Sequence, residues 1–396
     1  MDQWHLARGY RFAGVHSGLR TEPGRLDLAM IVSDAPAAAA GVFTQNRVVA
    51  APVRVCRERV PTTEARGVVI CSGNANACTG QQGLQDARRM AAVAAEAVDC
   101  RSAQMLVCST GVIGRPLPMA VIEAGIAQAA EKLANTPAGL DDVAHAILTT
   151  DTAIKVSTRS LQLSGAEVRL TGFAKGAAMI GPNMATMLAF VLTDASIEAD
   201  HLATLARRTA DCTFNCVTVE GHTSTNDTLL IFANGHSTPM HGSDRDRFDQ
   251  AVTAICAELA RAIAADAEGS SHLITIEVEG LRTDAEARRV AKTVAESALV
   301  KTAVFGADPN WGRFVSAAGY AGVEFEEEQL SLWLGDTLLY QTGTPQPFDM
   351  AAASAYLKNN RDIDLRLQFT LGHGRARFWT CDLTYDYVKL NAEYTT

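Results

Sequence analysis

The chain has no CxxC pair and no interleaved set of cysteine and histidine, so its nine cysteines offer no zinc-ligand spacing. An odd number of cysteines in a chain of 396 residues also argues against a disulfide framework. Reduced, mostly buried thiols are expected instead. No GxGxxG turn joins a strand to a helix and no GxxxxGK[ST] loop occurs, which removes the two common local handles for a nucleotide cofactor. KTAVFGADPNWGR (301–313) has glycines without that spacing and reads as a tight turn with a buried Trp311. Positive charge is also short: 35 Lys and Arg against 44 Asp and Glu leave a net −9, so nothing draws the chain generally to a phosphate backbone or an anionic membrane. No apolar run approaches the roughly 20 residues of a spanning helix, since the stretch 35–42 is short and alanine-rich. The start, MDQWHLARGYRF, has no secretory-signal pattern. A soluble, cytoplasmic protein with no metal and no cofactor is expected.

What is present is material for a large core: 47% of residues are hydrophobic, only 20% are charged, and apolar residues are spread along the whole length. Length makes two or three packing units the expectation. The first hundred residues alternate short β-like runs, GVFTQNRVVAAPVRV and ARGVVICSGNANACTG, with glycine and asparagine punctuation. Helical returns of apolar residues appear over 83–100, 116–135, 141–148, 201–211, 245–266 and 284–296. Strands are expected at 167–172 and 187–192, in DTLLIFANG and in HLITIEVEG. The tail segments LSLWLG, IDLRLQFTLG and ARFWTCDLTYDYVKL predict antiparallel sheet near the C-terminus. No internal repeat is visible, and the class is mixed α/β.

Thr186 lies where the glycine- and proline-rich KGAAMIGPN gives way to a hydrophobic run. Alone, such a threonine would open a buried strand, where its branched side chain fits. Its surroundings say more. GVFTQNRVVAAPV, SGNANACTG (72–80), CSTGVIG (108–114), TTDT (149–152), KGAAMIGPNMATML (175–188), TSTNDT (223–228), LVKTAVFGADPNWGR (299–313) and the ending NAEYTT follow one another in order. Together they resemble the glutamate N-acetyltransferase family, also called ornithine acetyltransferases, over nearly the whole chain.

The resemblance implies an αββα-like α/β fold of the ArgJ/DmpA self-processing type, with mixed and antiparallel sheet. It implies a precursor cut between Ala185 and Thr186 into an α chain, 1–185, and a β chain, 186–396, which form one intertwined catalytic unit and assemble as an α2β2 heterotetramer. Thr186 would emerge as nucleophile, with its own α-amine as base. The resemblance assigns the Thr110 hydroxyl and Gly111 N–H to an oxyanion hole, and Thr149, Lys175, Thr186, Glu268, Asn391 and Thr396 to substrate contacts. Lys175 suits a substrate carboxylate and Glu268 a cationic amine. The implied reaction moves acetyl from N-acetylornithine to glutamate. Acetyl-CoA as a second donor, an N-terminal-threonine amidase or aminopeptidase, and an unprocessed interaction protein are the alternatives. The exchange without acetyl-CoA is favoured, because the acidic chain shows no phosphate loop.

One stretch departs from the family. DAEGSSH (266–272) stands where DGEGATK is usual, with Ala267 at a turn position and His272 at the lysine position. Histidine carries only part of a charge near neutrality, so weaker local charge balance is expected there. His222 is expected to face solvent or bond locally rather than act as a base. Asp308, Asn310, Trp311 and Arg313 are expected to organise a loop.

Overall fold

A computed structural model of the chain describes residues 4–163, 165–181, 187–237, 240 and 242–393. The first sheet contains β1 (Tyr10–Val15), β2 (Leu28–Phe43), β3 (Thr62–Asn74), β4 (Met105–Val112), β5 (Lys155–Gln162), β6 (Glu167–Lys175), β7 (Leu188–Thr193) and β8 (Thr228–Ala233). Its order is β4-β3-β2-β8-β7-β6-β5, with β1 paired to β2. The pairs β3/β4 and β7/β8 are parallel and the rest antiparallel. The second sheet contains β9 (Leu273–Leu281), β10 (Leu330–Leu334), β11 (Thr337–Gln341), β12 (Thr344–Pro345), β13 (Asp362–Phe369) and β14 (Gly374–Cys381), in the order β12-β11-β10-β13-β9-β14.

Strand sequence follows strand position. LAFVLT and TLLIFA, the central β7 and β8, are buried at every residue, as a strand covered on both faces must be. Phe190 and Leu192 of β7 join one core with Leu28, Ile70, Met90 and Phe173. Val191 faces the other core, with Ile231, Phe248, Ile255, Ile276 and Phe378. By contrast DIDLRLQF of β13 alternates exposed and buried residues, because only one face of the second sheet is covered. The helix Ser243–Ala265 packs on β5 and β6 and also meets β14, so it links the two sheets.

Six of the nine cysteines are buried and all are free. Three local expectations change. The stretch read as strand after residue 50 forms the helix Ala51–Arg59, with Pro52 in its first turn, where a missing N–H costs nothing, and Arg57 and Arg59 in its last. The C-terminal strand stops at Cys381 and the helix Tyr385–Glu393 follows. Thr384 Oγ1 accepts the Tyr387 N–H at 3.0 Å, a hydroxyl satisfying an orphan donor of the first turn. The second sheet is also not wholly antiparallel, since β13 and β9 run parallel. Trp311 is half-buried and stacks on Tyr340 with ring centroids 5.7 Å apart.

Candidate active site

The ends of β4 and β6 carry the first cluster. Thr110 is buried near the end of β4, opposite Ser72 of β3, and Gly111 lies opposite Gly73. Gly111 has φ +132°, and a Cβ there would stand 2.3 Å from the Gly73 carbonyl carbon. Only glycine fits so close a backbone approach. Asn226 ties this corner to the start of β8, its Nδ2 donating to Ser109 O at 2.8 Å and Ala75 O at 2.7 Å.

Lys175, the last residue of β6, is fully buried and points its Nζ at Thr110 Oγ1, 3.4 Å away. Its charge is answered by Asp151, whose Oδ2 lies 3.9 Å from Nζ. Asp151 is the hub of the site. Its Oδ1 accepts from Lys155 Nζ at 2.9 Å and Gly176 N at 2.5 Å, and its Oδ2 from Thr149 N at 3.0 Å and Thr149 Oγ1 at 3.3 Å. Burial alone would raise the Asp151 pKa, but Lys175 and Lys155 outweigh it and hold the carboxyl well below the usual range. Burial pulls Lys175 the other way, below its ordinary value, and Asp151 offsets only part of that.

Lys155 extends the network by donating to Asp266 Oδ2 at 2.6 Å. Asp266 closes the helix Ser243–Ala265, and two residues later the Glu268 N–H donates to Ala177 O at 2.9 Å. Glu268 is therefore fixed against the stretch that leaves Lys175. Its carboxyl pKa is raised by burial and eased by Asn391, whose Nδ2 donates to Oε2 at 3.3 Å. Nearby, Glu220 Oε1 accepts the Ile180 N–H at 2.6 Å, and burial pushes its pKa to about 7.

Thr110, Gly111, Thr149, Lys175, Glu268 and Asn391 thus belong to one connected arrangement. Ala185, Thr186 and Thr396 lie outside the described residues. Asp151, Lys155, Asp266 and Glu220 were not singled out from sequence; Asp151 does sit inside the quoted TTDT block, where an aspartate two residues after a threonine signals only a turn. The cavity of about 360 Å³ lined by Cys212, Cys216, Arg288 and Arg375 holds none of these residues. Among the described residues no group of three or more His, Cys, Asp or Glu could hold a metal ion, and no helix is long and apolar enough to cross a membrane. His222 is exposed, as expected.

The family model for ArgJ matches residues 11–396. The chain belongs to the ArgJ family. It is 46% identical over 402 residues to arginine biosynthesis bifunctional protein ArgJ 1 of Nostoc sp., covering 98% of this chain and 97% of that one. Identity to arginine biosynthesis bifunctional protein ArgJ of Rhodopirellula baltica is 44% over 396 residues, covering 99% and 96%. The crystal structure of arginine biosynthesis bifunctional protein ArgJ from Bacillus halodurans is 40% identical with a TM-score of 0.50, over 52% of this chain and 98% of that chain. The α/β architecture with mixed and antiparallel sheet is therefore of the ArgJ type.

His272, the departure in this ArgJ-family site, is better charged than sequence suggests. Its Nδ1 is 2.7 Å from Asp382 Oδ2 and its Nε2 is 2.9 Å from Leu357 O, so both nitrogens meet acceptors. The bond to Asp382 raises the imidazole pKa, against burial and the repulsion of Arg361. Asp382 stays ionised, its pKa lowered because the bonds to His272 and Ser271 outweigh burial. A histidine raised above its unfolded value of about 6.5 contributes stability that is full below that pH and is lost as pH rises through the folded pKa. The Tm advantage of wild type over His272→Gln should therefore be largest in mild acid and shrink toward alkaline pH. A constant difference across a pH series would refute the charged pair.

Proposed function

We propose that this ArgJ-family acyltransferase, a glutamate N-acetyltransferase (ornithine acetyltransferase), cuts itself between Ala185 and Thr186 and then carries acetyl on the Thr186 oxygen. The observation that supports this account is the placing of Lys175, the last residue of the strand that precedes the segment holding Thr186, against Thr110 at the end of β4. The solved Bacillus halodurans chain is also matched almost whole by only 52% of this one, as one fragment of a cut precursor would be.

In the cleavage step the Thr186 hydroxyl attacks the Ala185 carbonyl, the C–N bond breaks as the nitrogen takes up the proton, and water resolves the ester. The freed α-amine has a reference pKa of about 7.7–8.0, so a useful fraction is neutral at physiological pH and serves as base beside its own hydroxyl. N-acetylornithine then acetylates Thr186 and ornithine leaves. The amine of glutamate takes the acetyl group in the second half of the cycle. Negative charge on the carbonyl oxygen is met by the Thr110 O–H and the Gly111 N–H. Because Lys175 donates to Thr110 Oγ1, the threonine proton is left to point at that oxygen. Thr149, Lys175, Glu268, Asn391 and Thr396 hold the substrates, Lys175 meeting a carboxylate and Glu268 an ammonium. The two fragments assemble as an α2β2 particle in the cytoplasm and need no metal or cofactor.

The test is an exchange assay. Labelled N-acetylornithine with glutamate should give labelled N-acetylglutamate and little free acetate; release mainly as acetate would make the protein an amidase. A second donor, acetyl-CoA, is the reading that the word "bifunctional" in the relatives' names favours, whereas the acidic chain without a phosphate loop favours exchange alone. Labelled acetyl-CoA with glutamate and no N-acetylornithine separates them. Negligible product beside rapid exchange is expected, and a comparable kcat/KM would establish the second donor.

A further inference from the structure

Asp227 has no part in the scheme above, yet it is fully buried where β8 begins. Its Oδ1 accepts the Met187 N–H at 3.1 Å, and the next amide, Thr228 N, donates to Met187 O at 3.1 Å. Both backbone polar groups of Met187 are thus gripped by consecutive residues. Asp227 is itself anchored, because its carbonyl accepts from Thr44 N at 3.0 Å. Its second oxygen, Oδ2, is buried and has no hydrogen-bond partner among the described residues. A carboxyl buried with an idle oxygen is a costly way to hold an ordinary turn, and such groups call for an explanation.

Chain connectivity supplies one. Met187 follows Thr186 directly, so the grip of Asp227 lies one peptide unit, about 3.8 Å between Cα atoms, from the residue proposed as nucleophile. We propose that Asp227 is a positioning residue of the self-cleavage and transfer reactions, acting through the Met187 amide to fix the backbone on the product side of the cut. Attack on a carbonyl needs the oxygen within a narrow approach, and a misplacement of about 1 Å can cost about 10²-fold in rate. A strand whose first amide is pinned by a side chain gives that precision without touching the reacting atoms. The grip needs an acceptor, not a charge: burial keeps the Asp227 pKa well above the ordinary range, although Met187, Lys175, Thr44 and Ser224 pull it down. A neutral acid also leaves Lys175 to Asp151 and Thr110.

The inference rests on the cleavage reading above, and its test separates the two. Cleavage of newly made chain is followed by fragment mass for wild type, Asp227→Ala and Asp227→Asn, with thermal unfolding as the control for folding. Asp227→Ala should cleave about 10²-fold more slowly, and its processed fraction should lose kcat while keeping KM for N-acetylornithine. Asp227→Asn retains the acceptor and should restore both. Asp227→Val, which also lacks an acceptor but leaves less empty space, replaces the alanine variant if that one unfolds. Folded Asp227→Ala that cleaves at the wild-type rate would overturn the role, and so would an asparagine variant as slow as alanine. A wild-type chain that stays intact would sink the cleavage reading itself.

Discussion

Thr186→Ala should leave one unbroken polypeptide with no measurable acetyl transfer. The substitution removes the hydroxyl proposed to attack in both reactions, and without the cut residue 186 also keeps its nitrogen in an amide, which is no base. Nucleophile and base are lost in a single change, so transfer should fall by more than about 10⁴-fold, as when interdependent catalytic groups are removed together. Thr186→Ser, which keeps the hydroxyl, should still yield two fragments. Mass spectrometry of the purified protein and a timed exchange assay read both effects. Two fragments beginning at Met1 and residue 186 from the alanine variant, with substantial turnover, would remove Thr186 from both roles.

Thr110→Val is expected to have the next largest effect. Valine keeps the shape of threonine in the buried end of β4 but cannot donate to the carbonyl oxygen as it gains charge. One preorganised donor is worth about 3–4 kcal/mol in such a setting, so kcat of the processed enzyme should fall by about 10²- to 10³-fold with KM little changed. Lys175 would lose its neighbour at 3.4 Å but keep Asp151, which argues against a general collapse of the site. Self-cleavage should slow as well, because the proposed attack develops the same charge on the Ala185 carbonyl. Assaying only the cleaved fraction keeps the two effects apart. An unchanged kcat there would reduce Ser109-Thr110-Gly111 to the structural end of β4.

The residues proposed for chemistry were legible in the sequence because they sit in ordered blocks that can be recognised one by one. Those that hold them in place were not. Asp151 joins Thr149, Lys155, Lys175 and Gly176, and Asp266 reaches Lys155 from 111 positions away; nothing in TTDT or DAEGSSH announces the encounter. Periodicity found the long helix Ser243–Ala265 and the central strands, where one or both faces are plainly apolar. It failed at Ala51–Arg59 and Tyr385–Glu393, where short segments rich in β-branched or aromatic residues favour strand locally. Tertiary packing and a threonine cap decided otherwise. The setting of His272 was hidden for a similar reason: the groups that raise its pKa, Asp382 and Leu357, are both distant in sequence.

The order β4-β3-β2-β8-β7-β6-β5 places two strands from beyond residue 186 between strands from before it. A nick at that point breaks one covalent bond and none of the ladder hydrogen bonds that join β8 to β2 or β7 to β6. The fragments are then held as dovetailed timber is, and parting them requires melting the middle of the sheet. Unfolding the nicked protein should therefore be much harder to reverse than unfolding the precursor, because two strangers must now meet in solution before the centre of the sheet can form, and recovery should depend on protein concentration. A cut at the proposed site would make maturation a one-way step in folding as well as in chemistry.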